Sequence, residues 1–151
     1  MKGLFVRALL AFLALPGVVA YLVPWLFLPQ ASEWSIHLIG LLPFALGTAL
    51  LLWCVRDFYV SGKGTLAPWA PPQNLVVTGL YRYSRNPMYL AVVLILCGWA
   101  LTFRSASLAV YALLVVAAFH LRVVLNEEPY LARTHGDRWV QYKATVPRWL
   151  F

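Results

Sequence analysis

Four long apolar runs dominate this sequence and limit its possible folds more than any other feature. They extend from Leu4 to Leu28, Ile36 to Val55, Pro87 to Phe103 and Ser107 to Leu125. A helix of about 20 apolar residues crosses the hydrocarbon core of a bilayer. Of the 151 residues, 62% are hydrophobic and 11% are charged, against about 25% charged residues in a soluble domain. The sequence therefore predicts an all-α membrane protein, a single domain (residues 1–151) built as a bundle of about four transmembrane helices.

The first and third of these runs differ from a simple transmembrane helix. The first has an alternative interpretation as a signal peptide, since Val18-Val19-Ala20 resembles a cleavage site, but its apolar stretch continues to Leu28. The third run is short, with about 25 Å of helical rise. We expect it to thin the bilayer locally or to pack inside the bundle.

The positive charges predict the orientation of the bundle. With the N-terminus inside, eleven of the twelve Lys and Arg residues fall on the cytoplasmic side and only Arg104 falls outside. Both termini are then cytoplasmic. The formal charge of +7 is explained by this topology, and we expect no nucleic-acid partner.

Polar residues are concentrated in two cytoplasmic segments. A 31-residue connection, 56–86, joins the second and third runs, and it is too long for a simple turn. The polar tail 126–151 follows the fourth run and is expected to include a short interfacial helix. We therefore expect residues 1–56 to be scaffold and residues 57–151 to form the functional half, with its site facing the cytoplasm.

The long connection ends in a segment with two interpretations. Gly79 permits a tight turn, and Asn86-Pro87 is expected to open the third helix, because proline suits a first helical turn. In the first interpretation the segment is a juxtamembrane anchor, with Arg82 and Arg85 on lipid phosphates and its tyrosines in an aromatic belt that also holds Trp139 and Trp149. In the second, the free N–H groups of the helix start receive an anionic group.

Two adjacent carboxylates, Glu127 and Glu128, stand at the end of the fourth run. Carboxylates there are costly unless they are solvated, paired or used. Pro129 predicts that the helix closes at Glu127 and that Glu128 turns away, which gives the two acids separate roles. A solvated helix end paired with Arg133 or Arg138 is the alternative.

Two side chains precede these acids on the same helix. Arg122 is five residues before Glu127, about 140° around an ideal helix, and should not share a site with it unless the helix is distorted. His120 is expected to be hydrogen-bonded inside the bundle or, alternatively, to form a pocket wall.

Cys54 and Cys97 are isolated in apolar stretches, and the sequence predicts no metal site.

These two segments together resemble the isoprenylcysteine carboxyl methyltransferase and phospholipid methyltransferase family of integral membrane enzymes. The segment from Gly79 to Tyr89 matches a G-x-Y-x-x-x-R-H-P-x-Y pattern, with Asn86 in place of its histidine. Further matches follow at Glu127-Glu128, Leu131, Gly136, Tyr142 and Val146-Pro147. The resemblance covers about residues 73 to 150.

The resemblance implies S-adenosylmethionine as the methyl donor, bound between the connection before the third helix and the polar segment after the fourth. It implies one set of cofactor-binding residues: Gln73, Asn74, Leu75, Val76, Tyr81, Asn86, Pro87, Met88, Tyr89 and Glu127. Asn86 forms hydrogen bonds but carries no proton, unlike the histidine of the pattern. The substrate-facing arginine of the family falls at Val123 here, so Arg122 is the nearest candidate, and we assign Arg122 and Glu128 as catalytic residues.

The predicted activity is methyl transfer to a lipophilic acceptor that enters from the bilayer, most simply an O-methylation. A carboxylate or thiolate acceptor needs no general base, whereas an amine must arrive neutral and Glu128 would take its proton. The acceptor stays open among a prenylcysteine, a phospholipid amine and a small lipophilic thiol or acid. The alternative is a non-catalytic membrane bundle that anchors a partner or oligomerises through Gly40, Gly47 and Gly98.

Overall fold

The computed structural model describes residues 13–28, 36–62 and 74–150, and every regular element among them is helical. A π-helical segment, Leu13–Leu22, continues into α1 (Val23–Leu26). A short 3₁₀ turn, Leu38–Gly40, leads into α2 (Leu41–Val60), and a second 3₁₀ turn spans Gly79–Arg82. Next come α3 (Pro87–Phe103) and α4 (Ala106–Arg122), joined by Arg104 and Ser105. A π-helical turn, Val123–Glu127, then leads into α5 (Glu128–His135), and α6 (Asp137–Thr145) follows.

The predicted all-α fold is confirmed for the described residues, and the third run matches α3 at both ends. Pro87 occupies the first turn of α3, where its missing N–H leaves no hydrogen bond unmade. The second run continues beyond its predicted end at Val55 as far as Val60. In this added stretch Asp57 is buried against the Gly79 turn, whereas Arg56 remains exposed.

The prediction that the fourth helix closes at Glu127 is wrong. Glu128 has helical dihedrals (φ −61°, ψ −44°) and the chain remains helical to His135. Pro129 donates no N–H, and its ring would meet the carbonyl of Leu125 in a regular α-helix. The wider π turn directly before it relieves that conflict.

Two of the helical stretches are long and apolar enough to cross a membrane by length and composition, Leu38–Val60 and Ala106–His135. Pro16–Leu26 and Pro87–Phe103 are shorter apolar helices. The long stretches leave large side chains uncovered: Leu38, Ile39 and Leu42 are each 74% exposed, and Leu113 is 69% exposed. An apolar surface of this extent calls for a lipid or protein environment.

The core lies where α2, α3 and α4 meet. Leu51 of α2, Ile95 of α3 and Leu108 of α4 are almost completely buried. Helices α2 and α3 approach closely because Gly47 and Gly98 have no side chain at their contact. A Cβ atom at Gly47 would lie 2.7 Å from the Ala91 carbonyl oxygen, and one at Gly98 would lie 2.6 Å from the Phe44 Cβ. The glycines considered as an oligomerisation surface are therefore used inside the chain.

Side chains of α2, α3 and α4 also hold the first segment in place. The Trp99 indole donates to the Ala20 carbonyl at 2.9 Å, and the Tyr111 hydroxyl donates to the Val19 carbonyl at 3.0 Å. The Tyr21 and Thr48 hydroxyls are hydrogen-bonded at 2.9 Å. These bonds satisfy carbonyls of an irregular helix and fix it against the core.

Candidate active site

The π turn at the end of α4 brings Arg122 and Glu127 together. The Arg122 Nε donates to Glu127 Oε1 at 2.8 Å. In a regular α-helix these residues would lie on different faces, whereas a π turn closes its hydrogen bonds five residues apart and aligns them. The sequence spacing had excluded this pair for an undistorted helix, and the structure supplies the distortion.

Tyr89 completes this cluster from the first turns of α3. Its hydroxyl donates to Glu127 Oε1, the same oxygen that accepts from Arg122. The Tyr89 ring packs against Phe119 of α4 with ring centroids 4.3 Å apart. Tyr89, Arg122 and Glu127, three of the residues assigned to the site from sequence, thus form one hydrogen-bonded group that we call the polar centre.

An apolar groove of about 620 Å³ begins at this polar centre and runs between α3 and α4. Its lining residues are Tyr89, Leu90, Val93, Leu113, Val116, Ala117, Phe119, His120, Leu121 and Trp149. The His120 ring is stacked on Trp149, with centroids 6.2 Å apart, and is exposed. Of the two interpretations of His120, the pocket wall is confirmed and the bundle interior is wrong. Trp149 lines the groove as well.

Glu128, one residue further on, has different partners. Its Oε1 accepts from Arg85 at 2.9 Å and from Arg148 Nε at 2.7 Å, and its Oε2 accepts from Arg148 at 2.9 Å. The Glu128 side chain is 12% exposed and that of Arg85 only 8%. We call this group of three residues the ion-pair clamp.

The clamp corrects several sequence interpretations. Neither glutamate pairs with Arg133 or Arg138: Glu127 pairs with Arg122 through the π turn, and Glu128 pairs with Arg85 and Arg148, which are distant in sequence. Arg85 does not face lipid phosphates: its guanidinium lies 5.3 Å from the centre of the Trp139 ring, a cation–π arrangement. Trp139 is 4% exposed and is a core residue of the C-terminal region, not part of a belt. The hydrogen bond to Glu128 raises the pKa of the Arg148 guanidinium, which stays charged.

The C-terminal residues pack on the segment that precedes α3. The Arg85 backbone N–H donates to the Pro147 carbonyl at 2.9 Å, and Asn86 Nδ2 donates to the Arg148 carbonyl at 2.9 Å. The Tyr142 hydroxyl donates to the Tyr81 carbonyl at 2.7 Å. Burial raises the pKa of the Tyr81 and Tyr142 phenols, so both stay neutral. Tyr81 is 5% exposed and therefore does not belong to an aromatic belt.

These contacts identify Arg148 as a residue that sequence reasoning did not assign to the site. The only sequence signal was its position directly after the Val146-Pro147 match. An arginine near the end of an amphipathic tail is expected to face water or lipid. Its pairing with Glu128 depends on how the tail folds back, which local sequence does not encode.

The residues expected to bind the cofactor fall into three places. Tyr89 and Glu127 belong to the polar centre. Val76, Tyr81 and Met88 pack with Cys54. They lie near the start of α3, where Pro87 is buried and Asn86 bonds the Arg148 carbonyl. Asn74 and Leu75 line a second groove of about 710 Å³, while Gln73 lies outside the described residues.

This second groove, which we call the polar groove, lies between the segment 74–82 and α6. Its lining residues are Asn74, Leu75, Val77, Arg82, Arg138, Gln141, Tyr142, Thr145 and Val146. None of these residues lines the apolar groove. Of the sequence-based cofactor set, Tyr89 lines the apolar groove and Asn74 and Leu75 line the polar groove, so the set does not share one groove.

Fold and site together define a class of helical protein in which a polar centre opens onto an apolar groove between membrane-type helices. Comparison with known proteins makes this more specific: a sequence model of the phospholipid methyltransferase family matches residues 35–138, more than half of the chain. The chain belongs to the phospholipid methyltransferase family, a membrane-associated family of methyltransferases, as the sequence resemblance had indicated. The match includes the polar centre and ends before Arg148 and Trp149.

One curated relative adds little about function. An uncharacterized protein of Haemophilus influenzae (strain Rd) is 32% identical over 63 residues, which are 42% of this chain and the whole of that protein. No solved structure matches the chain. The functional argument therefore depends on the family and on the geometry of the site.

Proposed function

We propose that this protein transfers a methyl group from S-adenosylmethionine to a lipophilic acceptor within the membrane. The observation that carries the proposal is that Tyr89, which lines the apolar groove, is hydrogen-bonded to Glu127, and Glu127 in turn pairs with Arg122. A polar group that opens onto an apolar channel suits a reaction between a polar donor and a lipid-soluble acceptor. Membership of a methyltransferase family supports the same reaction.

The chemistry of the polar centre fits such a donor. S-adenosylmethionine carries an ammonium group and a sulfonium cation, and it supplies the electrophilic methyl group. Glu127 offers a carboxylate for the ammonium group. The rings of Tyr89 and Phe119, 4.3 Å apart, offer π faces that attract a cation.

The walls of the apolar groove would hold and align the acceptor. Leu90 and Val93 of α3 face Leu113 and Val116 of α4 across it, and they exclude water from the hydrocarbon part of a lipid. In-line methyl displacement requires chiefly that donor and acceptor be held in the correct geometry. Such positioning is what these rigid helices provide.

Within this proposal the acceptor is a carboxylate and the reaction an O-methylation. Arg122 is about half exposed and holds Glu127 through its Nε, so the exposed part of its guanidinium can also meet an acceptor carboxylate. Glu128 uses both oxygens on arginines. We therefore propose that Glu128 orders the C-terminal segment and that the reaction needs no proton acceptor.

The proposal keeps the predicted topology of four spans with both termini and the polar centre on the cytoplasmic side. Residues 1–56 are then scaffold, and residues 57–151 carry the site. Cysteines introduced at exposed positions test it: Ser107→Cys and Lys143→Cys should react with an impermeant maleimide from opposite sides of the membrane. Labelling of both from one side would contradict the topology.

Calorimetric titration of the purified protein with S-adenosylmethionine tests donor binding. We expect saturable binding that weakens about tenfold or more in Glu127→Ala and in Tyr89→Ala. The matched controls are Asp137→Ala and Tyr83→Ala, which remove the same groups at exposed positions and should leave binding unchanged. No detectable binding by the parent protein would contradict the proposal.

The acceptor class requires a separate assay. Membranes that contain the protein are incubated with donor carrying a radiolabelled methyl group, and the lipid fraction is then treated with alkali. A methyl ester releases labelled methanol, whereas an N-methyl or S-methyl product keeps its label. Alkali-stable label would support methyl transfer but overturn the carboxylate acceptor.

A further inference from the structure

We infer that the polar groove is a binding site for the phosphate group of an anionic phospholipid, distinct from the acceptor in the apolar groove. Arg82 and Arg138 both line this groove, one from the 3₁₀ turn before α3 and the other from α6. Two guanidinium groups in one concave surface form a strong site for a phosphate, because each presents paired N–H donors.

No acidic side chain among the described residues forms an ion pair with Arg82 or Arg138. Within the described ranges, Arg85 and Arg148 pair with Glu128, Arg122 pairs with Glu127, and Arg56 pairs with Asp57. Neither Arg82 nor Arg138 has an ion pair among those residues, and both are exposed. Their charges therefore remain available to a ligand.

Arg138 also occupies an unfavourable position for a cation. It lies in the first turn of α6, Asp137–Thr145, where the positive end of the helix dipole repels a positive side chain and where Asp137 is the acidic residue. A bound anion between Arg138 and Arg82 would offset this repulsion.

The rest of the lining suits an amphiphile better than a free inorganic ion. Residues Arg138, Gln141, Tyr142 and Thr145 have the spacing of one helix face and form one side of the groove. Opposite them, Leu75 and Val77 add apolar surface, and Val77 is 40% exposed. Amide and hydroxyl groups beside apolar walls match the boundary between a headgroup and its glyceride.

The location of the groove agrees with a lipid headgroup. The segment 74–82 connects α2, which ends at Val60, with α3, which begins at Pro87. In the proposed topology this is the level at which apolar helices end and phosphates begin. Tyr142 and Val146 of the C-terminal region line the groove, so a bound lipid would also hold that region in place.

Titration of the purified full-length protein in a non-ionic detergent tests this site. The probe is dihexanoyl phosphatidylglycerol, compared with dihexanoyl phosphatidylcholine and inorganic phosphate. We expect saturable binding of phosphatidylglycerol, about tenfold tighter than that of either comparison compound. Equal binding of inorganic phosphate would overturn the lipid assignment, and no saturable binding of phosphatidylglycerol would overturn the site.

Matched double variants distinguish a site from diffuse attraction to a basic protein. R82Q/R138Q should weaken phosphatidylglycerol binding about tenfold or more, whereas R133Q/K143Q, which removes the same charge outside the groove, should leave it unchanged. Equal losses in both would overturn the proposal. Should R82Q/R138Q fail to fold, the single variants R82Q and R138Q carry the test, and no weakening in either would contradict it.

The same titration separates this inference from the proposed enzymatic function. E127A should lose S-adenosylmethionine binding and keep phosphatidylglycerol binding, and R82Q/R138Q should show the reverse. Loss of phosphatidylglycerol binding in E127A would place the lipid in the apolar groove and overturn the separate site.

Discussion

Glu127 and Glu128 are neighbours in sequence but belong to regions with different physical properties. Glu127, in the polar centre, pairs with a half-exposed arginine and accepts from a tyrosine at the end of a groove. Glu128, in the ion-pair clamp, is nearly buried and accepts from two arginines that come from distant parts of the chain. The first arrangement leaves polar groups accessible to a ligand, whereas the second joins three segments of the protein.

The comparison shows that a buried ion pair and an accessible one have different consequences when they are broken. Removing one partner of a buried pair leaves an uncompensated charge, which destabilises the fold. Removing one partner of an exposed pair changes stability little. The two glutamates should therefore be separable by measuring stability and ligand binding in parallel.

The largest effect on stability is expected from Glu128→Ala. It leaves Arg85, whose side chain is 8% exposed, without a counter-charge, and should lower the free energy of unfolding by about 3 kcal/mol. Unfolding in detergent, followed by circular dichroism, measures the change. Asp137→Ala is the control, expected within about 0.5 kcal/mol of the parent protein. A Glu128→Ala protein as stable as this control would remove the distinction between the two regions.

Glu127→Gln should have the opposite profile. It keeps an oxygen for the Tyr89 hydroxyl but loses the charge, so S-adenosylmethionine binding should weaken about tenfold. The free energy of unfolding should change by less than about 1 kcal/mol, because Arg122 is 49% exposed. Calorimetry and unfolding on the same preparation provide both values. A stability loss as large as that of Glu128→Ala would show that both glutamates are structural.

Tyr142→Phe tests the region of the clamp without altering a charge. It removes the hydrogen bond to the buried Tyr81 carbonyl and should cost about 1 kcal/mol of unfolding free energy. Tyr83→Phe, at a side chain that is 73% exposed, is the control and should be neutral. Equal effects in the two variants would argue that Tyr142 does not hold the C-terminal region.

Trp149→Ala is expected to have the smallest effect and tests the link between the two regions. The clamp holds Arg148, and the next residue forms part of the apolar groove wall. Loss of this wall should slow methyl transfer to lipid about threefold while donor binding stays unchanged. The rate of label incorporation into lipid measures it. An unchanged rate would show that the clamp does not shape the groove.

Much of the helical structure could be predicted from the sequence. The apolar runs located α2, α3 and α4, and Asn86-Pro87 marked the start of α3, because proline at a first helical turn is a local signal. The motif from Gly79 to Tyr89 and the Glu127-Glu128 pair led to the family. Gly79 has a φ of +58°, as its predicted tight turn requires.

Other features were not accessible from local patterns. An ideal helix placed Arg122 and Glu127 apart, and only the π turn joined them. The lipid-phosphate interpretation of Arg85 is wrong because its side-chain partners, Glu128 and Trp139, are 43 residues away and further along the chain. The resemblance implies one set of cofactor residues, whereas the fold separates Tyr89 in the apolar groove from Asn74 and Leu75 in the polar groove.

The sequence by itself determined the helices, the apolar character and the residue types of the polar centre, since these depend on local propensity and on transfer from water. Only the tertiary structure decided which of two adjacent carboxylates is buried and which arginine each one meets. The physical reason is that burial and pairing of charge depend on distant segments. The π turn, the return of the C-terminal tail and the close approach of α2 and α3 are properties of the packed chain.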